Sequence, residues 1–387
     1  TTEIYTLSLH DALPILFIVF VAINNINAQL TDNAMYFGGL TRNYRVYLSP
    51  NYNSSKPASL IFGLHGWGDN MNDFSSTLNF SSIADTANII CVYPQAAYDL
   101  LVGTAWNASA GLGGYYPNGF VDDVGFLNAL IDTILLKYSI DTNKIYMCGF
   151  SLGGFMTQKM ALLSNTRIAA FASISGTIGN GTTNFNPGRS VPIAHFHGLA
   201  DSVVKYYNNL YGFDADSLVS FWVNNNFCSS NPVVYNYPNL VNDSITIERY
   251  EYSGNTSQSD VWFYKMYGAN HYILSYPQND ISQSLEVWLF FRRHSLVSTG
   301  INTKANHSQN FTISPNPANQ KIVVNGFSKN ELKNSIIYIY NLQGQLLLEQ
   351  YVDSDIAEIE INSFISGMYL IKILQGNNYE VLKFIKQ

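Results

Sequence analysis

The 387-residue sequence is poor in charge and in cysteine. Only 12% of its residues are charged, and 20 Lys and Arg against 27 Asp and Glu leave a net charge of −7. No cluster of basic residues occurs, so the electrostatic footprint of a nucleic-acid partner is missing. Cys91, Cys148 and Cys228 are odd in number and form no C-x-x-C pair, so neither a zinc site nor a disulfide framework is signalled. Cys91 and Cys148 sit inside apolar runs and read as small core residues. No constellation of metal ligands and no cofactor motif appears. The apolar run near the start, Leu16–Ile23, is too short to span a bilayer. Followed by small Ala28, it reads as the hydrophobic region and cleavage point of a secretory signal peptide. That segment lacks a basic n-region and an initiating Met, and Thr6–Ile15 reads as translated sequencing-adapter. Residues 1–28 are therefore expected to be adapter-derived sequence joined to a truncated signal peptide, outside the fold.

What is present is an alternation of strand-like and helix-like segments over residues 30–296, the pattern of an α/β domain with a mostly parallel sheet and helices on both faces. "SLIFGLHG" and "NIICVYPQ" are short continuous apolar runs, as strands buried on both faces should be. "DDVGFLNALIDTILLKY" repeats Phe126, Ala129, Leu130, Ile134 and Leu135 at helical spacing behind Asp122 and Asp123. That acidic pair is read as a helix start rather than a catalytic or metal pair, because adjacent positions on a helix do not share a face. The last helix, "DISQSLEVWLFFRRH", takes Asp280 as its cap. Residues 297–311 lack periodicity and read as a linker. Residues 312–387 break into short strands between Gly and Asn turns, which predicts a small β-sandwich.

The chemistry centres on Gly149-Phe150-Ser151-Leu152-Gly153, placed between the strand "KIYMCGF" and the helix "SLGGFMTQKMALL". A G-x-S-x-G string in that context holds its serine on a strained turn, with Gly149 and Gly153 small because neighbouring backbone passes close. A hydroxyl becomes a nucleophile only with a base to take its proton and donors to stabilise the oxyanion. In this fold class the acid and then the histidine follow the serine. Asp201 lies just past the strand "PIAHFHG", at the carboxyl edge where such sites collect. Asp214, Asp216, Asp243 and Asp260 lack a preceding buried strand. His271 falls between the strand "VWFYKMY" and the final helix, whereas His195 and His197 belong to the strand before Asp201 and are expected to pack or orient its loop. The oxyanion donors are expected from the backbone N–H groups of Leu152 and Trp67, with Gly66 and Gly68 letting the earlier loop turn its amides inward. His65 is read as structural. The Trp67 side chain either lines the acyl pocket or covers the core.

With these strings placed, residues 40–295 resemble the secreted esterases grouped with polyhydroxybutyrate depolymerases and with the feruloyl and acetylxylan esterases of carbohydrate esterase family 1. The matching pieces are "LHGWGDN", "VYPQ", Trp106 in "AWNAS", "VDDVGFLNALID", "IYMCGFSLGG", "HFHGLADSVVKY", Trp222 with Cys228 in "FWVNNNFC", and the His271 loop. The resemblance implies an α/β-hydrolase fold, carboxylic-ester hydrolysis without a cofactor, and Ser151, Asp201 and His271 in the family's triad positions. The expected partner is a polymeric ester, polysaccharide or polyester. Feruloyl esters on plant polysaccharide come first, polyhydroxyalkanoate second and acetylated xylan third, with Trp67, Trp106 and Tyr272 as candidate substrate contacts. The "ANHYI" context of the histidine departs from the family's Gly- or Trp-rich one, and Cys228 lacks the partner it often has there. A carbohydrate-binding surface protein on the same fold is the non-enzyme alternative, and a peptidase is a third class that fold analogy admits. The tail, with "ISPNP", "IYNLQGQLL", "SGMYLIKI" and "KFIKQ", resembles the C-terminal sorting domain of the type IX secretion system. That implies export by signal peptide, passage across the outer membrane through the secretion machinery, and removal of the tail.

Overall fold

A computed structural model describes residues 29–254, 259–296, 311–327, 335–341, 346–375 and 378–387. The leader, residues 1–28, and all but the last residue of the expected linker lie outside the described residues. The chain divides into two compact units, one ending at Leu296 and one following it.

The first unit is built on a ten-stranded sheet. Its strands are β1 (Gln29–Phe37), β2 (Leu40–Leu48), β3 (Ala58–Leu64), β4 (Ile89–Pro94), β7 (Ile140–Phe150), β8 (Ala170–Ile174), β9 (Ile193–Gly198), β10 (Val233–Asn236), β11 (Thr246–Tyr252) and β12 (Val261–Tyr267). A separate two-stranded ribbon joins β5 (Tyr98–Asp99) to β6 (Gly103–Thr104). The order across the sheet is β1-β2-β4-β3-β7-β8-β9-β12-β11-β10. The six central strands run parallel, and antiparallel strands close both edges. The helices are α1 (Met71–Thr77), α2 (Ser81–Ala87), α3 (Asp123–Lys137), α4 (Leu152–Leu163), α5 (Ala215–Asn225) and α6 (Gln283–Phe291).

Strand periodicity explains why the central runs are apolar throughout. Side chains alternate between faces, so Leu60, Phe62 and Leu64 of β3 enter one core layer and Ile61 the other. Ile90 and Val92 of β4 likewise part from Ile89, Cys91 and Tyr93. Cys91 and Cys148 are fully buried free thiols in the second layer, and Cys228 is a half-buried free thiol whose Sγ donates to the Ser259 carbonyl at 2.7 Å.

Two details differ from the sequence reading. On α3 the buried stripe runs through Phe126, Leu127, Leu130, Ile131 and Ile134, with Ala129 and Leu135 at its margins. The stripe is turned because Asp123 also faces inward. Asp122 does cap the helix, accepting from the Gly125 N–H at 2.8 Å, but Asp123 is a buried ion-pair partner of Arg42, 2.6 Å away, and accepts from the Asn107 N–H as well. Asp280 does not cap α6. Ser282 occupies that position, and the Asp280 carboxylate accepts instead from the Leu240 and Val241 N–H groups, tying down a neighbouring loop.

The second unit pairs a three-stranded antiparallel sheet with a four-stranded one. The first contains β13 (Thr312–Ser314), β14 (Lys321–Asn325) and β17 (Ile356–Glu360); the second contains β15 (Ser335–Tyr340), β16 (Leu346–Tyr351), β18 (Gly367–Gln375) and β19 (Asn378–Lys386). Ile322, Val324, Ile337, Ile339, Ile371 and Phe384 fill the core of this unit, each fully buried.

Candidate active site

Ser151 stands at the junction of β7 and α4 with φ 54° and ψ −121°, a left-handed conformation that a residue with a side chain adopts only under constraint. The constraint is visible in the backbone. The Ser151 N–H donates to the Ile174 carbonyl at 2.9 Å, its carbonyl accepts from Phe155 N–H at 3.0 Å, and a Cβ at Gly149 would fall 2.3 Å from the Gly153 carbonyl oxygen. The turn thus lifts the hydroxyl off the sheet edge.

His271 follows β12 and approaches that hydroxyl, with Nε2 2.9 Å from Ser151 Oγ and Nδ1 2.8 Å from Asp201 Oδ2. Its ring leans on Phe150, centroids 4.8 Å apart. Asp201 is almost fully buried and its other oxygen, Oδ1, accepts from the N–H groups of Val203 and Val204 at 3.0 and 2.9 Å. Burial pushes the carboxyl up, but the hydrogen bond and charge of His271, with help from His197 and the Val203 amide, outweigh it and hold Asp201 below the usual carboxylate range. The structure therefore brings the three predicted residues into one hydrogen-bonded line. In that line the imidazole that donates Nδ1–H to a carboxylate presents its lone pair to the hydroxyl.

The backbone N–H groups of Trp67 and Leu152 donate to no protein acceptor among the described residues, and both residues line the cavity beside Ser151. A Cβ at Gly66 would fall 3.4 Å from the Ser151 Cβ, and Gly68 turns the loop at φ 71°. The open question about the Trp67 side chain is answered by its position. The indole is half exposed, donates from Nε1 to the Val102 carbonyl at 2.6 Å, and lines the cavity. Trp106 is a correction: it is fully buried, donates to the His65 carbonyl at 3.0 Å and leaves no face for a ligand. Tyr272 is exposed beside His271 but is not among the cavity's lining residues. His65 is buried, as its structural reading requires, accepting from the Ala96 N–H.

The cavity holds about 120 Å³ and is walled by Val102, Leu112, Tyr115, Phe155, Val204 and Tyr211, among others. Sequence reasoning singled out none of these, because they come from five separate stretches. It also missed Asn270, whose Oδ1 accepts from the Ser202 N–H and hydroxyl and from the His271 N–H, fastening the histidine loop to the acid loop. Among the described residues, no group of three or more His, Cys, Asp or Glu could hold a metal ion.

Three buried histidines near the site give a pH prediction. Burial pushes the imidazoles of His65, His195 and His197 down from their ordinary value near 6.5. As pH falls below about 6.5 the unfolded chain takes up protons that the folded chain refuses, so stability is full above that pH and declines below it. The slope approaches about 1.4 kcal/mol per pH unit for each histidine. Asp201, held low as well, adds its own loss only below about pH 4. Urea midpoints taken from pH 8 to pH 5 should drop on the acid side; a flat profile contradicts the neutral, buried assignment.

Residues 51–210 match the Phospholipase/Carboxylesterase family, and residues 312–387 match the Secretion system C-terminal sorting domain. The chain is 30% identical over 211 residues to the bifunctional acetylxylan esterase/xylanase XynS20E of Neocallimastix patriciarum, covering 54% of this chain and 28% of that protein. It is 28% identical over 169 residues to feruloyl esterase D of Neurospora crassa, covering 43% and 56%. An acetyl xylan esterase from Aspergillus awamori is similar in structure at 15% identity and a TM-score of 0.46, over 64% of this chain and 94% of that one. The chain thus spans about a quarter and just over half the length of these two curated relatives. The resemblance to feruloyl and acetylxylan esterases holds, as do the α/β-hydrolase fold and the sorting-domain character of the tail.

Proposed function

We propose that residues 30–296 form a serine carboxylic-ester hydrolase of feruloyl-esterase type, joined by a linker at 297–311 to a sorting domain at 312–387. The observation that carries the reading is the line Ser151–His271–Asp201, with the serine strained at positive φ and the carboxylate enclosed. Ser151 Oγ attacks the ester carbonyl while His271 Nε2 takes its proton, and Asp201 stabilises the imidazolium that forms. The N–H groups of Trp67 and Leu152 are the proposed donors to the oxyanion. The imidazolium returns its proton to the departing alcohol, and water, activated by the same histidine, releases the acid.

The aromatic rings of Trp67, Tyr115, Phe155 and Tyr211 on the cavity wall support a hydroxycinnamoyl acyl group, and the relatives' names point to plant polysaccharide as its carrier. A second reading, a polyhydroxyalkanoate depolymerase, is favoured by exposed Leu100, Leu101 and Phe120 in the cleft that shares Tyr115 with the cavity. Export by signal peptide and type IX machinery, with the tail as address, completes the proposal.

The test is acid release by the full chain from methyl ferulate, acetylated xylan and polyhydroxybutyrate. Ferulate release fastest of the three supports the first reading, and polyester hydrolysis without ferulate release supports the second. Hydrolysis of none of them rejects the esterase proposal in favour of a binding protein.

A further inference from the structure

Beneath the acid loop, five side chains that the reaction does not touch form one unbroken polar line through the core. Trp222 of α5, Gln158 of α4, Ser173 of β8, and His195 and His197 of β9 are each fully buried. Their contacts run in sequence. Trp222 Nε1 lies 2.8 Å from Gln158 Oε1, Gln158 Nε2 2.7 Å from Ser173 Oγ, Ser173 Oγ 2.8 Å from His195 Nδ1, His195 Nε2 3.1 Å from His197 Nδ1, and His197 Nε2 2.8 Å from the Val204 carbonyl oxygen.

With both imidazoles neutral, the protons on this line have one arrangement in which every contact is a hydrogen bond. An indole N–H only donates, so Gln158 presents its oxygen to Trp222 and its NH₂ to Ser173. Ser173 accepts that bond and spends its own proton on His195 Nδ1, which leaves His195 protonated at Nε2. His195 Nε2–H then donates to His197 Nδ1, and His197 Nε2–H donates to Val204. Read from the other end the answer is the same, because a carbonyl only accepts. Burial favours neutral imidazoles, and each neutral ring on this line then carries its proton on Nε2. Adding a proton at His197 Nδ1 would turn two N–H groups against each other unless His195 moved its proton to Nδ1 and the Ser173 hydroxyl turned its own proton away.

The line ends where the reaction begins. The Val204 peptide accepts from His197 on one side and donates its N–H to Asp201 Oδ1 on the other, beside the Val203 N–H. Oδ1 is thereby occupied and Oδ2 is left to His271. His197 itself lies 3.8 Å from Asp201 Oδ2, so a charge on it would compete for that oxygen. The other charged or titratable groups acting on His197 are His195, His271 and Asp216, and the Tyr206 ring stands edge-on to it.

We infer that Gln158, Ser173, His195 and His197 are positioning residues: a one-way hydrogen-bond line from the nucleophile's helix that keeps His197 neutral and aims Asp201 at His271. The inference rests on the esterase reading for its activity test but has a readout of its own. The experiment compares His197→Gln with His197→Leu in the full chain. An amide offers an acceptor and a donor spaced much like the two ring nitrogens, whereas leucine fills the volume and offers neither.

His197→Leu is expected to lower kcat/KM on methyl ferulate by on the order of tenfold to a hundredfold, by analogy with the loss of outer-shell partners that orient metal ligands. His197→Gln should recover most of that loss. A packing role alone would rank the two the other way, since an apolar side chain suits a dry core better. In proton–nitrogen NMR the wild type should show His195 and His197 as neutral Nε2–H tautomers, and the His271–Asp201 proton resonance should persist in the glutamine variant and vanish in the leucine one. Equal or better performance of leucine, or an Nδ1–H or doubly protonated imidazole at neutral pH in the wild type, overturns the inference. If neither variant folds, the wild-type tautomers decide it. If the wild type cleaves no ester, the esterase reading fails while the resonances still test the line.

Discussion

Ser151→Ala in the full chain should reduce turnover of methyl ferulate roughly a millionfold while the fold stays intact, the loss expected when a triad works as a unit. The size follows from what the change removes. Without Oγ, His271 has a lone pair and no proton to collect, and the remaining rate comes from oxyanion donors acting on attack by bulk water. Stability should barely move, because alanine carries the same Cβ into the same positive φ and so inherits the strain. Ser151→Gly makes the complementary point: equally inactive, it should be more stable, since glycine meets φ 54° without strain. Activity on methyl ferulate and thermal midpoints of the three proteins read both effects. More than about one percent residual activity in the alanine variant would remove Ser151 from the mechanism.

Gly153→Ala is expected to be among the most damaging single methyl additions in the unit. A Cβ there would sit 2.1 Å from the Leu64 carbonyl oxygen and 2.5 Å from that of His65. Those atoms are backbone at the end of β3, so no side-chain rotation relieves the clash. α4 would have to withdraw from the sheet, carrying the N–H of Leu152 away from Ser151. Overpacking of this kind costs about 3 kcal/mol, which for a unit of this size is roughly a 5 °C fall in Tm. Scanning calorimetry tests it, and a Tm within about 2 °C of wild type would show that the helix can shift freely. Activity should fall further than stability alone accounts for, because the N–H of Leu152, the proposed oxyanion donor, moves with the helix.

These two residues also mark what the sequence made legible. A G-x-S-x-G string is local: both glycines and the serine lie within five residues, and the flanking strand and helix declare themselves by periodicity. Asp201 and His271 were legible for a related reason, each following an apolar strand at the sheet's carboxyl edge. The failures share the opposite property. Asp123 looked like a helix-start charge because its partner, Arg42, is 81 residues away. Trp106 looked like a platform because a tryptophan among small polar residues gives no sign that its N–H will be drawn inward to the His65 carbonyl. Asp280 preceded an apolar run as a cap should, yet loop amides from Leu240 and Val241 competed for it and won. Apart from Trp67, the cavity wall was illegible, since no periodicity links Val102, Phe155 and Tyr211.

Val203 and Val204 have two attachments at once: their N–H groups hold Asp201, and their side chains form part of the cavity wall. Mutational tolerance around the pocket is therefore lopsided. If the cavity takes the acyl group as proposed, change on the valine side that shifts the backbone would disturb the fit and the grip on the carboxylate together, so lineages that sample new esters there would lose rate as they gain range. Leu112, Tyr115 and Tyr211 on the other walls hold none of the reacting atoms. Divergence in acyl preference has its open route through those positions, and a library aimed at new esters is best confined to them.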